Sequence, residues 1–292
     1  MNDLKHLLES VRAVAEGPDD ARIAHLRMDR WIDYPRAASA LETLEELLST
    51  PPRARMPCLL IHGASGMGKT MLIDKFMLSH RPQYDRRHGI EKTEIIAMQM
   101  PTSPSERRFY VKLLETIGAP CRPGDRLSAL EYTSIQLLRR IGPRIIVVDE
   151  VHHLLAGSGR EQRVALNQLK YLSNELQCCM VAVGTRDALT AMQTDAQIAS
   201  RFRPFELPGW RESDELRRFL VAFERVLPLR ERSNLAAREM TQTILAASDG
   251  ITGNIAALLT QAARTAIRRG QESIDLDLLR SLIEFQGESE TA

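Results

Sequence analysis

From residue 57 onward, short runs of continuous apolar residues alternate with longer stretches in which apolar positions recur at helical spacing. Continuous apolar runs are typical of strands that are buried on both faces, as in a parallel sheet covered by helices. The pattern therefore predicts an α/β fold with a five-stranded parallel sheet sandwiched by helices. The predicted strands are 57–62, 94–100, 144–149, 178–184 and 203–207, and the predicted helices between them are 69–79, 104–117, 126–141, 160–176 and 186–201.

The pattern changes after Pro208-Gly209, because only helical periodicity follows. Residues that end helices interrupt it at Pro228, Asp249-Gly250 and Gly270. We therefore predict an all-helical C-terminal domain. Its predicted helices are 212–226, 235–248, 252–269 and 275–285.

The N-terminal part of the chain has shorter patterns. Residues 1–16 predict an amphipathic helix that ends at Gly17-Pro18. The stretch 21–36 predicts extended or turn-like backbone, and a helix follows over 37–48. These patterns divide the chain into an N-terminal helical arm (1–28), an α/β domain (29–208) and a helical domain with a short tail (209–292).

Composition adds few constraints. Apolar residues make up 43% of the chain and charged residues 26%, as in ordinary globular proteins, which excludes a disordered or fibrous chain. The formal net charge is +1, so no overall field predicts binding to nucleic acid or membrane. The N-terminus lacks the character of a signal peptide, and no apolar run approaches the roughly 20 residues of a membrane span. The four cysteines show no metal-binding spacing and fit a reducing cytoplasm. Together with the missing signal-peptide and membrane-span patterns, they lead us to expect a cytoplasmic protein without a membrane partner.

Residues 63–70 fit the phosphate-binding pattern G-x-x-x-x-G-K-[ST], between a predicted strand and a predicted helix. Glycines let the backbone curl so that its N–H groups face an anion, and the positive end of the next helix adds to the attraction. Lys69 is expected to reach the outer phosphates and Thr70 to bind Mg²⁺. The alternative, a glycine-rich turn that binds nothing, is disfavoured because the pattern and both flanks match. The residues predicted to surround the phosphates are Gly63, Ala64, Ser65, Gly66, Met67, Gly68, Lys69, Thr70 and Met71.

Asp149 and Glu150 come at the end of the predicted strand 144–149. Ligands of parallel α/β sheets bind at the carboxyl ends of the strands, so this pair predicts the second half of an NTPase site. Asp149 is expected to hold the Mg²⁺ shell, and Glu150 to orient and deprotonate an attacking water. A carboxylate pair that simply faces solvent is the alternative. The joint site is favoured because this strand can neighbour the strand that precedes the phosphate loop.

Three further residues follow these strand ends. His152 and His153 come directly after the carboxylates. Adjacent residues at the start of a helix do not face one point, so we predict no metal site from the pair, and expect one of them to pack or hydrogen-bond near the site. Thr185 ends the predicted strand 178–184. It is expected either to lie beside the γ-phosphate and help place the water, or to cap the following helix.

Arg201 and Arg203 lie at the start of the last predicted strand. Hydrolysis of a nucleotide gains from a cation that neutralises charge in the transition state, and a neighbouring subunit often supplies it. Arg201 is the first candidate for this role, since the strand is expected at the outer edge of the sheet. The alternative is an ordinary surface ion pair.

Trp31, Ile32 and Tyr34 bring two of the few aromatic residues of the chain together. One interpretation places them around an adenine ring, as part of the nucleotide site. The other is a surface clamp packed on the main domain. The spacing does not decide between the two.

Together these residues resemble the AAA+ ATPases over about residues 29–285. Beyond the loop and the carboxylates, Thr185 stands in the sensor-one position and Ser200-Arg201-Phe202 in the arginine-finger position. Within that class the chain is most similar to TniB, the ATP-dependent accessory protein of DDE-type transposons, which is related to TnsC and MuB. The stretches that carry this similarity are Asp29–Arg36, Arg53–Ile61 with the loop after it, Pro101–Glu106, Leu113–Pro120 and Asp149–Leu154.

The resemblance implies an ATPase that uses ATP and Mg²⁺, with a C-terminal helical lid. Relatives form rings or helical filaments around duplex DNA, with each ATP held between neighbouring subunits. The resemblance therefore implies a homo-oligomer on target DNA that recruits or activates the DDE transposase of the same element, with a TniQ-type targeting protein as a further partner. The lid segment Gly250–Ala257 lacks the arginine of many AAA+ lids, and Arg264 or Arg268 would have to replace it, which implies slow, oligomer-dependent hydrolysis.

Arg107, Arg108 and Lys112 are the predicted DNA-contacting residues, because related ATPases direct this segment toward a central pore. Contacts with phosphates would be sequence-independent and salt-sensitive. A solvated helix face is the alternative, and Arg122 and Arg126 are weaker candidates. Because the net charge is near zero, the affinity for DNA would depend on repetition along an oligomer.

Two other functions are compatible with the same motifs. One is an AAA+ ATPase of secretion or signalling type that acts on a protein client without DNA binding. The lack of a predicted membrane or peptidoglycan-binding segment counts against it. The other is a nucleotide-gated scaffold that does not hydrolyse ATP, and the intact Glu150 counts against that.

Overall fold

A computed structural model describes residues 4–86, 89–103, 105–122, 124–193 and 196–290. Contacts divide the chain into two compact units. The α/β unit comprises Ser39–Ser65 and Lys69–Leu207, and the helical unit comprises Met1–Ala38, Gly66–Gly68 and Pro208–Ala292. The domain limits predicted at residues 28 and 208 stay a prediction, and the arm predicted from residue 1 begins outside the described residues.

Strands and helices alternate through the middle of the chain, and helices alone form its two ends. The strands are β1 (Cys58–His62), β2 (Gln83–Asp85), β3 (Ile90–Lys92), β4 (Ile95–Gln99), β5 (Ile145–Asp149), β6 (Cys179–Gly184) and β7 (Phe202–Glu206). The α-helices are α1 (Glu9–Glu16), α2 (Asp19–Leu26), α3 (Pro35–Ser49), α4 (Lys69–Ser79), α5 (Glu106–Thr116), α6 (Leu127–Ile141), α7 (Gly159–Leu176), α8 (Arg186–Gln193), α9 (Ala196–Ala199), α10 (Asp214–Glu224), α11 (Arg238–Ser248), α12 (Thr252–Arg269) and α13 (Leu276–Glu290). Two 3-10 helices cover Leu4–His6 and Val151–Ala156.

The α/β unit is built on a five-stranded parallel sheet with the strand order β4-β5-β6-β1-β7. The three inner strands are buried along their whole length, because helices flank the sheet and apolar side chains fill the space between. The predicted α/β fold is confirmed, and each predicted strand lies within one residue of the observed one at either end. Continuous apolar runs are therefore a sufficient signal for the three inner strands.

The strand order differs from one expectation. β6 separates β5 from β1, so the idea that the strand ending at Asp149 neighbours the strand before the loop is wrong. An apolar pattern identifies buried strands but does not set their order, and β6 pairs on both of its sides. His62 lies opposite Gly184 in the register. The carboxyl ends of β1, β6 and β5 therefore follow one another along one edge of the sheet.

Local predictions differ from the structure in two places. Helix α2 lies partly in the stretch 21–36, for which the sequence predicts extended or turn-like backbone, because two aspartates in its first turn favour a helix start and one helix face is buried. Helices α8 and α9 both lie within the helix predicted over 186–201, and residues 194–195 lie outside the described part of the chain. The antiparallel hairpin of β2 and β3 is not predicted, because the exposed β2 lacks an alternating apolar pattern.

The helical unit has its own core, formed by apolar side chains of α10 to α13 together with Leu26. The N-terminal residues pack on the same unit, where the Leu8 amide donates to the Arg225 carbonyl at 3.0 Å. The predicted helical C-terminal region is confirmed. Among the described residues, no helix combines the length and apolar character that a membrane span requires.

Candidate functional site

The loop between β1 and α4 has the backbone that the phosphate-binding pattern predicts. A Cβ atom at Gly63 would lie 2.4 Å from the Leu207 carbonyl oxygen, so no side chain fits there. Gly66 and Gly68 have φ angles of 76° and 82°, in the left-handed region that favours glycine. Apart from its two chain neighbours, no described residue has an atom within 4 Å of the position that a Gly68 Cβ would take. The loop thus leaves open space beside its backbone at the start of α4.

Lys69 is the first residue of α4, and its side chain turns back over the loop. Its Nζ donates to the carbonyl oxygens of Gly63 at 3.1 Å and Ala64 at 2.8 Å. The residue is only 7% exposed, and this burial lowers the pKa of the ammonium group, against the opposing effect of the carboxylates of Glu150 and Asp149. A buried ammonium that is held by two neutral carbonyls would gain free energy from an anionic partner.

Thr70 and Asp149 meet although they are far apart in the chain. The Thr70 hydroxyl donates to Asp149 Oδ2 at 2.7 Å, and the Glu150 amide donates to Asp149 Oδ1 at 2.7 Å. A hydroxyl and a carboxylate are hard oxygen ligands of the kind that Mg²⁺ prefers, and Mg²⁺ keeps several waters in such sites. The residues present therefore fit a nucleotide with its magnesium: an anion beside Lys69, and the cation between Thr70 and Asp149.

Glu150 has an unusual backbone for its residue type. Its φ of 55° and ψ of 34° lie in the left-handed region, which is uncommon for a residue other than glycine and costs free energy. This conformation ends β5 and directs the chain into the 3-10 helix that follows. The carboxylate remains 36% exposed, and His152 Nε2 lies 3.1 Å from its Oε2. Glu150 thus directly follows Asp149, and its carboxylate is accessible to water.

Thr185 follows Gly184 at the end of β6, which lies between β1 and β5. Its backbone carbonyl accepts a hydrogen bond from the Ala188 amide at 3.1 Å, at the start of α8. Its hydroxyl is buried and has no hydrogen-bond partner among the described residues. The side chain therefore does not cap α8, and a buried hydroxyl without a partner suits a polar ligand at this edge of the sheet.

The two histidines lie side by side, which differs from the expectation that they face different points. Their ring centroids are 5.0 Å apart, and one ligand atom each from Glu150, His152 and His153 lie within 4.8 Å of one another. The expectation assumes a regular α-helix, whereas these residues follow a left-handed glutamate and form a 3-10 turn. His153 Nδ1 also lies 3.0 Å from the Met100 carbonyl oxygen. The expectation that one of the two hydrogen-bonds near the site is confirmed by His153, whereas the particular contact of His152 with Glu150 depends on this local backbone and is not predicted.

Arg201 lies away from the loop within its own unit. Phe202 pairs with Cys58 at the start of β1, whereas the loop follows the end of β1. β7 is an edge strand, as expected, and the Arg201 guanidinium donates to Asn174 Oδ1 at 2.8 Å. Arg203 is exposed on the same strand. The structure therefore does not bring Arg201 to the phosphate loop of its own chain.

Trp31, Ile32 and Tyr34 belong to the helical unit. The Tyr34 ring packs against Trp210, with 5.1 Å between the ring centroids, and burial raises the pKa of its hydroxyl to about 12. Ile32 also packs on the core of the unit, and Trp31 Nε1 donates to Asp33 Oδ1. Tyr34 therefore packs within the helical unit, whereas the clamp alternative places it on the main α/β domain. An additional role beside an adenine ring stays a prediction.

The predicted DNA-contacting residues lie on α5. Arg107 and Arg108 are exposed, and Lys112 is half-buried, with its Nζ 3.9 Å from Glu115. The Arg107 guanidinium donates to the Asp125 carbonyl oxygen. A phosphate bound at α5 would therefore contact basic side chains of which Arg107 and Lys112 already interact with neighbouring residues.

Comparisons with known proteins extend this description. No curated protein matches the chain. Among solved structures, the ORC2 protein of Aeropyrum pernix, in ADPNP-ADP complexes, is 16% identical with a TM-score of 0.59, over 89% of this chain and 71% of that one. The ORC1 protein of Aeropyrum pernix in complex with DNA is 16% identical with a TM-score of 0.58, over 89% and 68%. Cdc6p of Pyrobaculum aerophilum is 15% identical with a TM-score of 0.60, over 88% and 68%.

At these identities the likeness shows the fold alone, and it confirms the predicted parallel sheet flanked by helices with a helical C-terminal region. The family described as "Bacterial TniB protein" matches residues 22–212, which include the phosphate loop, the carboxylates of β5 and the edge strand β7. The predicted resemblance is thereby confirmed, and the chain belongs to the TniB family.

Proposed function

We propose that the protein is an AAA+ ATPase that binds DNA in its ATP state and directs transposition. The observation that carries the proposal is the contact of Thr70 with Asp149 at 2.7 Å, since it joins the phosphate loop to the carboxylate strand. A glycine-rich turn without a ligand would not require these two groups to meet. The α/β domain predicted over 29–208 would bind the nucleotide, and the helical domain over 209–292 would act as its lid.

Each residue of the site has a proposed role. Lys69 binds the outer phosphates, while Thr70 and Asp149 hold Mg²⁺. When bound, Mg²⁺ neutralises charge on the phosphates. Glu150 orients a water and accepts its proton, and the partnerless hydroxyl of Thr185 helps to place that water.

Arg201 is proposed to act on the nucleotide of a neighbouring subunit. Arg201 lies at the amino end of β7, whereas the phosphate loop follows the carboxyl end of the paired strand β1. This separation from the loop of its own chain supports the proposal. An arginine supplied from another subunit makes hydrolysis dependent on assembly. The protein is therefore proposed to form a homo-oligomer, as a ring or helical filament.

The proposed DNA partner is duplex DNA without sequence preference. Membership of the TniB family supports this proposal, and a protein of similar fold is described in complex with DNA. Exposed cations on α5 offer phosphate contacts, which carry no sequence information. On DNA, the oligomer would recruit the DDE transposase of its element, with a TniQ-type protein as a further targeting partner.

The test is DNA binding as a function of nucleotide, measured by fluorescence anisotropy with a labelled duplex. We expect tighter binding with ATP or a non-hydrolysable analogue than with ADP, and no such difference in Lys69→Ala. Lys75→Ala, on the same helix, is the matched control. Equal affinity with and without nucleotide would overturn the proposal. Nucleotide binding without any DNA binding would favour a protein client instead.

A further inference from the structure

The turn after β5 collects three potential metal ligands. One ligand atom each from Glu150, His152 and His153 lie within 4.8 Å of one another. Ligands around a tetrahedral zinc ion at about 2.1 Å lie about 3.4 Å apart, so small side-chain rotations suffice to bring these atoms to bonding distance. Two imidazoles and one carboxylate form a ligand set that Zn²⁺ and similar transition metals accept.

His153 is already oriented as a metal ligand would be. Its Nδ1 lies 3.0 Å from the Met100 carbonyl oxygen, which can only accept, so Nδ1 carries the proton. The lone pair is therefore on Nε2. Met100 is itself fixed, because its amide donates to the Asp149 carbonyl at 2.8 Å. Metal-bound histidines commonly donate their other N–H to a backbone carbonyl in this way.

His152 is the second imidazole of the cluster. Its Nε2 lies 3.1 Å from Glu150 Oε2, which is within hydrogen-bond distance. Its Nδ1 is buried and has no hydrogen-bond partner among the described residues. The two side chains are thus close enough to bind one metal ion between Nε2 and Oε2.

We propose that Glu150, His152 and His153 form a site for a divalent transition metal such as Zn²⁺, separate from the magnesium site. Mg²⁺ prefers oxygen ligands, which Thr70 and Asp149 supply. The consequence for activity rests on the proposed function. Bound zinc engages the carboxylate that would accept a proton from water, so hydrolysis stops while nucleotide still binds.

The direct test is a titration of the nucleotide-free protein with Co²⁺, followed by visible absorption, and competition by Zn²⁺. All variants carry Cys121→Ser, because Cys121 is the described cysteine that is not buried. We expect His152→Ala and His153→Ala each to weaken Co²⁺ binding by at least about tenfold. His80→Ala is the matched control, since His80 also lies beside a carboxylate, 3.3 Å from Glu45, and should bind as the parent does. Unchanged Co²⁺ binding in both His152 and His153 variants would overturn the site.

A second measurement separates this site from the proposed function. At saturating Mg²⁺ and ATP, we expect micromolar Zn²⁺ to inhibit ATP hydrolysis by the parent protein. The His153→Ala variant should resist this inhibition. Zn²⁺ should leave the affinity of the parent for ATP unchanged. Zinc binding without inhibition would overturn the regulatory role. An absence of ATP hydrolysis would count against the proposed function, and the Co²⁺ titration would still decide the metal site.

Discussion

Thr70 and Asp149 share a hydrogen bond of 2.7 Å between the hydroxyl and Oδ2, although one lies in the first turn of α4 and the other ends β5. The strand that leads into α4 is β1, and β6 lies between β1 and β5. The contact therefore passes over the carboxyl end of β6 and does not join residues of two paired strands. The contact brings together two oxygen atoms of the kind that Mg²⁺ prefers. A preformed pair of this kind lowers the cost of ordering the site around a metal ion.

Asp149→Asn tests this pair. The amide keeps the size of the side chain but removes the charge that would hold Mg²⁺, so we expect ATP hydrolysis to fall by at least about 100-fold and to need more Mg²⁺. Phosphate release measured over a range of Mg²⁺ concentrations gives both effects. Thr70→Ser is the control that keeps a hydroxyl at the same place and should depend on Mg²⁺ as the parent does. An Asp149→Asn protein with parental Mg²⁺ dependence would remove Asp149 from the metal site.

Lys69→Ala tests whether the ammonium group of Lys69 binds the phosphates of ATP. Charge-assisted hydrogen bonds contribute about 1.5–3 kcal/mol, and about 1.4 kcal/mol corresponds to a tenfold change, so we expect ATP to bind about 10- to 100-fold more weakly. Calorimetry with ATP and Mg²⁺ measures the change. Lys75→Ala, in the same helix, should leave the affinity unchanged. Equal affinities in the two variants would show that Lys69 binds only the carbonyls of Gly63 and Ala64.

The phosphate loop could be predicted from the sequence because its residue types answer local requirements. Gly66 and Gly68 need positive φ angles, and Gly63 has no room for a side chain, so glycine is dictated at each position. Buried strands are equally evident, because helices on both sides of a parallel sheet demand continuous apolar residues. The fold and the centre of the site are therefore within reach of sequence reasoning.

The features that the sequence does not predict have different physical causes. The insertion of β6 between β1 and β5 depends on contacts between distant segments, which a linear pattern does not encode. The meeting of His152 with Glu150 follows from the left-handed backbone of Glu150, and a glutamate gives no sign of such a conformation. Exposed polar hairpins such as β2–β3 lack an apolar pattern altogether.

Arg201→Ala tests whether the site is completed by a second subunit. We expect ATP to bind as in the parent and hydrolysis to fall by about 10³-fold, because an arginine that neutralises transition-state charge is worth that much. Arg55→Ala, which removes another exposed arginine near Ser200, is the control. Steady-state phosphate release measures both.

Mixing the two variants, at an ATP concentration too low to fill the weakened Lys69→Ala site, makes this test sharper. Lys69→Ala retains Arg201, and Arg201→Ala retains the loop, so a mixed oligomer contains some complete sites. We expect the mixture to recover part of the activity that each variant lacks alone. No recovery, in a mixture shown to co-assemble, would place the activating cation elsewhere, with Arg203 as the next candidate.

The cations of α5 are tested by the salt dependence of DNA binding. Each phosphate contact adds about 0.9 to the slope of log affinity against log salt. The combined Arg107→Ala, Arg108→Ala and Lys112→Ala variant should therefore lower the slope per subunit by up to about 2.7, with similar losses on unrelated duplexes. Arg139→Ala, on α6, provides an exposed arginine as control. A slope equal to that of the parent would leave these residues as a solvated helix face.

Arg22 is wholly buried in the helical unit, where it donates to the Pro228 carbonyl and forms an ion pair with Glu272. Burial by itself raises the pKa of Glu272, but hydrogen bonds and charge from Arg22 and Arg230 outweigh it, so the pKa lies below its ordinary value of 4.5. A carboxyl group whose pKa is lowered by folding stabilises the folded state above pH 4.5 or so, and this stabilisation is lost as the pH falls through the lowered pKa.

Glu272→Gln should therefore reduce the free energy of unfolding at pH 7 by about 1–3 kcal/mol, because Arg22 stays buried and loses one of its two charged partners, keeping only Asp19. The difference between variant and parent should shrink as the pH drops below 4.5, since the parent carboxylate is then protonated as well. Urea unfolding at several pH values measures both effects. Glu231→Gln, an exposed carboxylate nearby, should leave the stability unchanged. If Glu272→Gln is as stable as the parent at pH 7, or if the difference in stability grows in acid, the ion pair between Arg22 and Glu272 does not stabilise the helical unit.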